Sequence, residues 1–320
     1  MYGIRELKPN IDISQYNVEC PIIGCSKLVD RQRHSFKRED RFRCPKHKIY
    51  ISPSTFEYDC EKDNLLWNST KDLALFEAIK KVKCESRIAR DNSEDALSWN
   101  IFRYLESTQQ LPPFLSWLSQ TKQQQAELIY WSYSQNENDV WLPLNKTRKE
   151  FGENLQRSSE PDLIAVTDKA LFFIEVKLTA PNNTTPSNRN KRKKYLSGGD
   201  KWIKQVFRSD YETIAIESKL YELFRFWLLG SWLASQIGKD FFLINIVLSE
   251  REKDIEQRFL PYIQQEINRQ FKRVTWEDIY GFVVDNELGN GGKSVILEYF
   301  RTKTIGYNRF GELQKAFMVE

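Results

Sequence analysis

Two apolar runs separated by a short polar turn constrain this chain more than any other feature of its sequence. Residues 163–166 and 171–178 are rich in β-formers, and the polar turn 167–169 separates them. Runs of this kind joined by a short turn predict a β-hairpin. Three charged residues lie at the open end of that hairpin: Asp162, Glu175 and Lys177.

The alternation of side chains along a strand decides where these charges point. Glu175 and Lys177 are two residues apart, so they face the same way, whereas Phe172 and Ile174 face a core on the other side. Burying charges is costly unless they are paired or bind a metal. The pattern therefore predicts the site of a metal-dependent phosphodiester hydrolase, and the alternative is a solvated strand face.

The same residues carry a resemblance to a known superfamily. Pro161-Asp162, twelve residues and then Glu175-Val176-Lys177 resemble the motif of the PD-(D/E)xK nucleases, which have the restriction-endonuclease-like fold. The order helix, strand, strand, strand, helix, strand, predicted over about residues 90–250, resembles their common core. The resemblance implies an α/β fold with a mixed central sheet flanked by helices, and an Mg²⁺-dependent endonuclease that hydrolyses DNA. Such enzymes often serve in restriction or defence, although repair and mobile-element processing have the same signature.

The chemistry of the reaction explains the residue types. A divalent cation held by carboxylates neutralises an anionic phosphodiester and lowers the pKa of a bound water. Mg²⁺ prefers oxygen ligands, which Asp162 and Glu175 would supply. By resemblance, the Val176 carbonyl is a further ligand. Lys177 would orient the attacking water or stabilise charge on the phosphate.

Further site residues are expected from the neighbouring helices. The superfamily often adds an acid from its first core helix, and Glu94 is the candidate, with Asp95 second. Acids in the first turn of a helix are also favoured by the helix dipole alone. On the helix after the hairpin, Gln205 is a candidate for the rim of the active site, with Lys201 one turn before it.

The N-terminal segment carries a second metal pattern. Cys20 and Cys25 flank a predicted turn that contains a proline and a glycine, and Cys44 and His47 follow as a second pair. Two short ligand pairs separated by a loop suit tetrahedral Zn²⁺ and resemble a zinc ribbon of the Cys₃His type. Cys60 is an alternative fourth ligand, and free, partly buried thiols are the alternative to zinc. We therefore expect a zinc-ribbon-like module at 1–61 and the nuclease domain at 62–320.

The net charge of +4 is small, so the distribution of charge is more informative than its total. Positive charge is concentrated in two segments. The loop 27–43 of the N-terminal module is basic but also holds acids. The polar segment 179–199 is predicted to be a mobile loop that contacts DNA phosphates, which gives salt-sensitive affinity; a solubilising tract is the alternative. Its candidate nucleic-acid-binding residues are Arg189, Lys191, Arg192, Lys193 and Lys194.

Other patterns exclude functions or predict elements. No apolar run approaches the length of a membrane span, and the odd number of five cysteines argues against a disulfide framework, so a cytoplasmic protein is expected. Glu287 stands where a P-loop needs glycine. Strands are predicted at 140–144, 241–248 and 295–300, and a helix at 252–271.

Two rival functions stay open. One is a nuclease acting on RNA or branched DNA. The other is a non-catalytic zinc protein that binds nucleic acid. The resemblance also makes a homodimer an option.

Overall fold

A computed structural model describes residues 1–33, 35–83, 86–154, 160–187, 192–286 and 292–320, and the backbone alone of Lys193. In chain order the strands are β1 Asn17–Glu19, β2 Leu28–Asp30, β3 Tyr50–Ile51, β4 Phe56–Glu57, β5 Ala126–Tyr130, β6 Tyr133–Ser134, β7 Asp139–Val140, β8 Leu163–Thr167, β9 Ala170–Val176, β10 Asp240–Val247, β11 Arg269–Thr275, β12 Thr304–Tyr307 and β13 Leu313–Lys315. The helices are α1 Thr70–Val82, α2 Glu94–Ser107, α3 Leu111–Ser119, α4 Leu142–Glu150, α5 Arg192–Lys201, α6 Ile203–Val206, α7 Tyr221–Gln236, α8 Ile255–Phe259, α9 Trp276–Asp285 and α10 Lys293–Thr302.

The chain divides into two compact units. The first comprises Met1–Ala74, Glu85–Thr108 and Trp276–Glu320, and the second comprises Leu75–Cys84 and Gln109–Thr275. The first unit therefore joins segments from both ends of the chain.

The second unit is built on a seven-stranded sheet in the order β11-β10-β9-β8-β5-β6-β7. Strand β8 is antiparallel to β5 and β9, whereas β9, β10 and β11 are parallel. Helices flank this mixed sheet, which confirms the α/β class. Helix α7 connects β9 to β10 and packs on both, and the lack of a side chain at Gly230 permits the close approach, since a Cβ there would lie 2.3 Å from the Phe241 ring.

Both faces of the predicted hairpin are covered. All seven residues of β9 are buried, because the strand lies between β8 and β10 in the centre of the sheet. Phe172 stacks on Phe242 with ring centroids 4.9 Å apart, and Phe173 packs edge-on against Phe241 on the other face. The prediction that Phe172 and Ile174 face a core is confirmed, and the face that carries Glu175 is also apolar along most of β9.

The first unit holds three small antiparallel hairpins, β1–β2, β3–β4 and β12–β13. Its N-terminal core includes Val18, Ile51 and Phe56 together with Tyr307 from β12. Gly306 has a φ of +91° there, and a Cβ at this position would lie 2.0 Å from the Ser54 carbonyl oxygen.

Several predicted elements need correction. Residues 252–271 do not form one helix, because α8 ends at Phe259 and β11 follows. Residues 295–300 lie in α10 and are not a strand. The strand predicted at 140–144 is the short β7, after which α4 begins. The segment 179–199 is not a loop throughout, since α5 begins at Arg192.

Candidate active site and metal centre

The charged residues of the hairpin lie in a row across the end of the sheet. Leu163 pairs with Ile174, so the next step of the register brings Asp162 opposite Glu175. On the other side, Glu175 pairs with Asn245 of β10. Directly paired residues point to the same face of a sheet. Three polar side chains from three strands therefore share one face where the strands end.

Asp162 is tied to the strand opposite it. Its Oδ2 accepts a hydrogen bond from the backbone N–H of Val176 at 2.8 Å, and its carbonyl accepts one from Trp131 N–H at 3.1 Å. The carboxylate is half-buried. The sequence prediction that Asp162 and the end of β9 lie together is therefore met by the geometry.

Lys177 lies between two carboxylates. Its Nζ donates to Glu175 Oε1 at 2.6 Å and to Glu222 Oε2 at 3.2 Å. Glu222 is in the first turn of α7, whose direction brings its N-terminus to the carboxyl end of β9. Sequence reasoning missed Glu222, and the available signal was an acid in the first turn of a predicted helix.

Among the described residues, the carboxyl groups of this cluster outnumber its ammonium groups. Asp162, Glu175 and Glu222 provide three carboxylates against one ammonium. Burial raises the pKa of the Glu175 carboxyl well above its usual range, Asp162 and Glu222 raise it further, and Lys177 opposes them. Burial alone would lower the pKa of Lys177, but the surrounding carboxylates outweigh it and keep the ammonium protonated. A cation bound beside Glu175 would favour its ionised form, which burial and the carboxylates of Asp162 and Glu222 disfavour.

One oxygen of the cluster has no hydrogen-bond partner among the described residues. Glu175 is 5% exposed, and its Oε2 is buried without a donor, although Oε1 accepts from Lys177. A buried acceptor left unsatisfied costs about 1–3 kcal/mol. Carboxylate oxygens are the ligands that a hard divalent cation prefers, so this oxygen and the neighbouring Asp162 carboxylate have the donor chemistry of a magnesium site.

The segment after β9 is anchored beside this cluster. Asn182 donates to Asn245 Oδ1 at 2.8 Å, and both side chains are buried. Thr184 Oγ1 accepts from Glu222 N–H at 2.9 Å at the start of α7. These contacts fix the helix that presents Glu222. None of the three anchoring residues was singled out from the sequence.

Two other predicted site residues are Glu94 and Gln205. Glu94 opens α2 in the first unit, where Ser93 caps the helix by accepting from Ala96 N–H at 3.1 Å. The hairpin belongs to the second unit, and the metal role of Glu94 stays a prediction. Gln205 is exposed on the four-residue helix α6, and within the described residues no hydrogen bond joins it to the acids.

The basic segment is described only in part. Arg189 and Lys191 lie outside the described residues, and so does the side chain of Lys193. Arg192 is exposed. Lys194 instead lies 3.9 Å from the buried Glu153 carboxylate and 4.5 Å from the centroid of its neighbouring Tyr195 ring.

The four predicted zinc ligands form one cluster. In the described chain they are the one set of three or more candidate ligands whose ligand atoms all lie within 4.8 Å of one another. Cys20 Sγ is 3.4 Å from His47 Nδ1, Cys44 Sγ is 3.7 Å from the same atom, and Cys25 Sγ is 3.9 Å from Cys44 Sγ. A tetrahedral Zn²⁺ has bonds of about 2.3 Å to sulfur and about 2.0–2.1 Å to nitrogen. This geometry places two sulfur ligands about 3.8 Å apart and a sulfur and a nitrogen ligand about 3.6 Å apart.

Local structure explains this convergence. The turn from Cys20 to Cys25 uses Gly24 at a φ of +74°, and Cys44 N–H donates to Ile49 O in the second turn. The three thiols are buried, whereas Cys60 is exposed and lies outside the cluster. Cys84 and His34 are not among the described residues. The Cys₃His cluster could hold a structural metal such as zinc.

Comparisons with known proteins add no assignment to these sites. No family model matches the chain, and neither does a curated protein or a solved structure. Among the described helices, none combines the length and apolar character that crossing a membrane requires.

Proposed function

We propose that this chain is a metal-dependent endonuclease that hydrolyses phosphodiester bonds in DNA. The observation that carries the proposal is the buried Glu175 carboxylate, which has one oxygen without a donor among the described residues, opposite Asp162 and beside the Lys177 ammonium. A carboxylate pair and a lysine at the ends of two neighbouring strands suit hydrolysis of an anionic substrate.

Asp162 and Glu175 would hold a magnesium ion. When bound, the ion supplies charge neutralisation and lowers the pKa of a bound water. Two carboxylates suffice because Mg²⁺ usually keeps several waters. The Val176 carbonyl remains a further expected ligand by resemblance, and its N–H already orients Asp162.

Lys177 would stabilise the negative charge that develops on the phosphate. Its ammonium stays protonated among the carboxylates and is only 11% exposed, so little water screens it. Glu222 acts as a positioning residue, because its carboxylate accepts a second hydrogen bond from Nζ in addition to the one that Glu175 accepts.

The order of elements supports a restriction-endonuclease-like core. Strands β5, β8 and β9, helix α7 and strand β10 occur in this chain order in the second unit, with β6, β7 and α4 inserted before β8 and with α5 and α6 inserted before α7. The resemblance to the PD-(D/E)xK superfamily leads one to expect this order. The Cys₃His cluster would bind structural zinc, since four protein ligands leave no position open for substrate. Restriction or defence is the role that this resemblance favours.

Digestion of a supercoiled plasmid tests the proposal. We expect cleavage with Mg²⁺, none with a chelator, and none for Asp162→Asn or Lys177→Ala, while folding and DNA binding are retained. Asp168→Asn is the matched control, because Asp168 is an exposed carboxylate in the turn at the other end of the same hairpin; this variant should cut at the wild-type rate.

The outcomes separate the rival functions. Cleavage by Lys177→Ala at the wild-type rate would refute the site assignment. If the wild-type chain binds nucleic acid but cuts none of duplex DNA, single-stranded DNA, branched DNA and RNA, the chain is a binding protein. Cleavage confined to RNA or to branched DNA would keep the site but replace the substrate.

A further inference from the structure

Two adjacent cavities in the first unit form a basic groove. One has a volume of about 590 Å³ and the other about 360 Å³, and both are lined by Gln15, Arg31, Gln32 and Arg33. The larger cavity also contains Arg90, and its described lining includes no carboxylate. We define this groove by the four shared residues. Its volume is in the range of ligand-binding sites.

The guanidinium groups of Arg31 and Arg33 are held in place by hydrogen bonds to backbone carbonyls, which do not neutralise their positive charge. Arg31 Nη1 donates to Ser14 O at 2.8 Å, and Arg33 Nη2 donates to Gln15 O at 3.4 Å. Within the described chain, neither guanidinium forms an ion pair with a carboxylate. Each guanidinium has five N–H donors, so donors remain available for a phosphate.

Other basic residues of the groove are already paired. Arg90 Nε donates to Glu57 at 3.0 Å, and Arg41 pairs with Glu39 at 2.7 Å. Asp30 is the carboxylate in the described lining of the smaller cavity. Lys37 lines the smaller cavity as well and shares the Glu39 carboxylate with Arg41. Because Arg31 and Arg33 line both cavities and have no carboxylate partner among the described residues, those two residues are the ones to test.

Buried hydrogen bonds hold the backbone that carries these arginines. Gln32 is 7% exposed, and its amide donates to Ile51 O at 2.9 Å and accepts from Lys37 N–H at 2.6 Å. The facing turn is closed by Ser52 Oγ, which donates to Thr55 O and accepts from Thr55 N–H. A groove that is fixed before binding loses little entropy when a ligand enters.

Aromatic side chains accompany the charge. Tyr16 lines the smaller cavity and is 67% exposed. Phe36 lines the larger one, where the Arg90 guanidinium lies 4.9 Å from its ring centroid. Tyr16 is the exposed ring of the two, since Phe36 is half-buried. A basic groove with an exposed aromatic ring suits single-stranded nucleic acid, because phosphates contact arginine and a base stacks on the ring.

We propose that this groove binds a single-stranded segment of nucleic acid, with phosphates on Arg31 and Arg33 and a base stacked on Tyr16. The choice of nucleic acid as the ligand rests on the proposed nuclease function. The charge and shape of the groove are observed independently of that proposal. The groove belongs to the first unit, whereas the acids of the hairpin belong to the second.

Fluorescence anisotropy with a labelled 20-nucleotide strand tests the groove, with all binding measured in the Lys177→Ala background so that cleavage does not interfere. Arg31→Ala/Arg33→Ala should weaken binding at least tenfold and reduce the slope of log K against log salt by about 1.4, or about 0.7 for each lost phosphate contact. Tyr16→Ala should cost roughly tenfold. The matched control, Lys71→Ala/Arg309→Ala, removes two exposed charges of the same unit outside the groove and should change binding less than twofold.

Three results would overturn the inference: wild-type affinity of the groove variant, an equal loss in the control, or the same groove-dependent affinity for duplex as for single strand. Circular dichroism of each variant shows that a loss of binding is not a loss of folding. Failure of the nuclease proposal would look different. In that case the wild-type chain would not cut with Mg²⁺, yet the groove variant would still bind less tightly.

Discussion

Replacement of one cysteine in the Cys₃His cluster should destabilise the first unit strongly. We choose Cys44→Ser because Cys44 Sγ lies close to two other ligand atoms, at 3.9 Å from Cys25 Sγ and 3.7 Å from His47 Nδ1. Serine keeps the size of the side chain nearly constant but removes the thiolate. The substitution therefore tests metal binding more than packing.

The magnitude follows from linkage between metal binding and folding. In zinc-finger peptides, the binding free energy of structural zinc is about 10–16 kcal/mol. A metal present at about 1,000 times its dissociation constant stabilises the folded state by about 4 kcal/mol. For a unit of roughly 140 residues, that free energy corresponds to a fall of roughly 10–15 °C in melting temperature.

The assay is thermal unfolding combined with metal analysis of the same samples. Cys60→Ser is the control, because Cys60 is exposed and lies outside the cluster; it should retain one zinc per chain and the wild-type melting temperature. The reasoning is refuted if the wild-type protein contains far less than one zinc per chain, or if both variants melt together with the wild type.

Other substitutions test the second unit and the β12 hairpin. Glu222→Gln should lower the cleavage rate roughly tenfold with little change in DNA binding, because the Lys177 ammonium loses the charged partner that it has on α7. Single-turnover kinetics would separate the effect on the rate from the effect on binding. Burial alone would raise the pKa of Glu153, but the Arg225 guanidinium lowers it to about 2. The ionised Glu153 carboxylate thus adds about 3 kcal/mol to the free energy of unfolding above pH 4.5, and this contribution is lost as the pH falls toward 2. In urea titrations, the stability of Glu153→Gln should not show this loss at acid pH. Gly306→Ala should cost more than about 1 kcal/mol in the same titrations, since its Cβ would clash with a carbonyl oxygen.

Local patterns in the sequence predicted the parts of the sites that are local in the chain. The hairpin was predictable because two β-rich runs and a turn lie within about fifteen residues. The Cys₃His cluster was predictable because ligand spacing is set by the turn geometry of Cys20–Cys25 and of Cys44–His47. The geometry agrees with both expectations, although the roles of the acids stay predictions.

Features that depend on long-range packing were not predictable. Glu222 lies 45 residues after Lys177, and only the direction of α7 brings the two together. Residues 295–300 are rich in β-formers, but Ile296, Tyr299 and Phe300 are buried at the spacing of one helix face, and tertiary packing prevails over propensity there. Strand β11 was missed because its buried residues are interrupted by Arg273 and other polar side chains.

Helix α7 links the stability of the second unit to its candidate chemistry. Glu222 in its first turn holds the Lys177 ammonium, and Arg225, three residues later, makes a two-pronged ion pair with the buried Glu153 at 2.5 Å. Breaking a buried pair is costly because a charge is left unpaired, so this pair fixes α7 in the core. The position of the lysine at the sheet edge thus depends on an ion pair that would contact neither metal nor substrate.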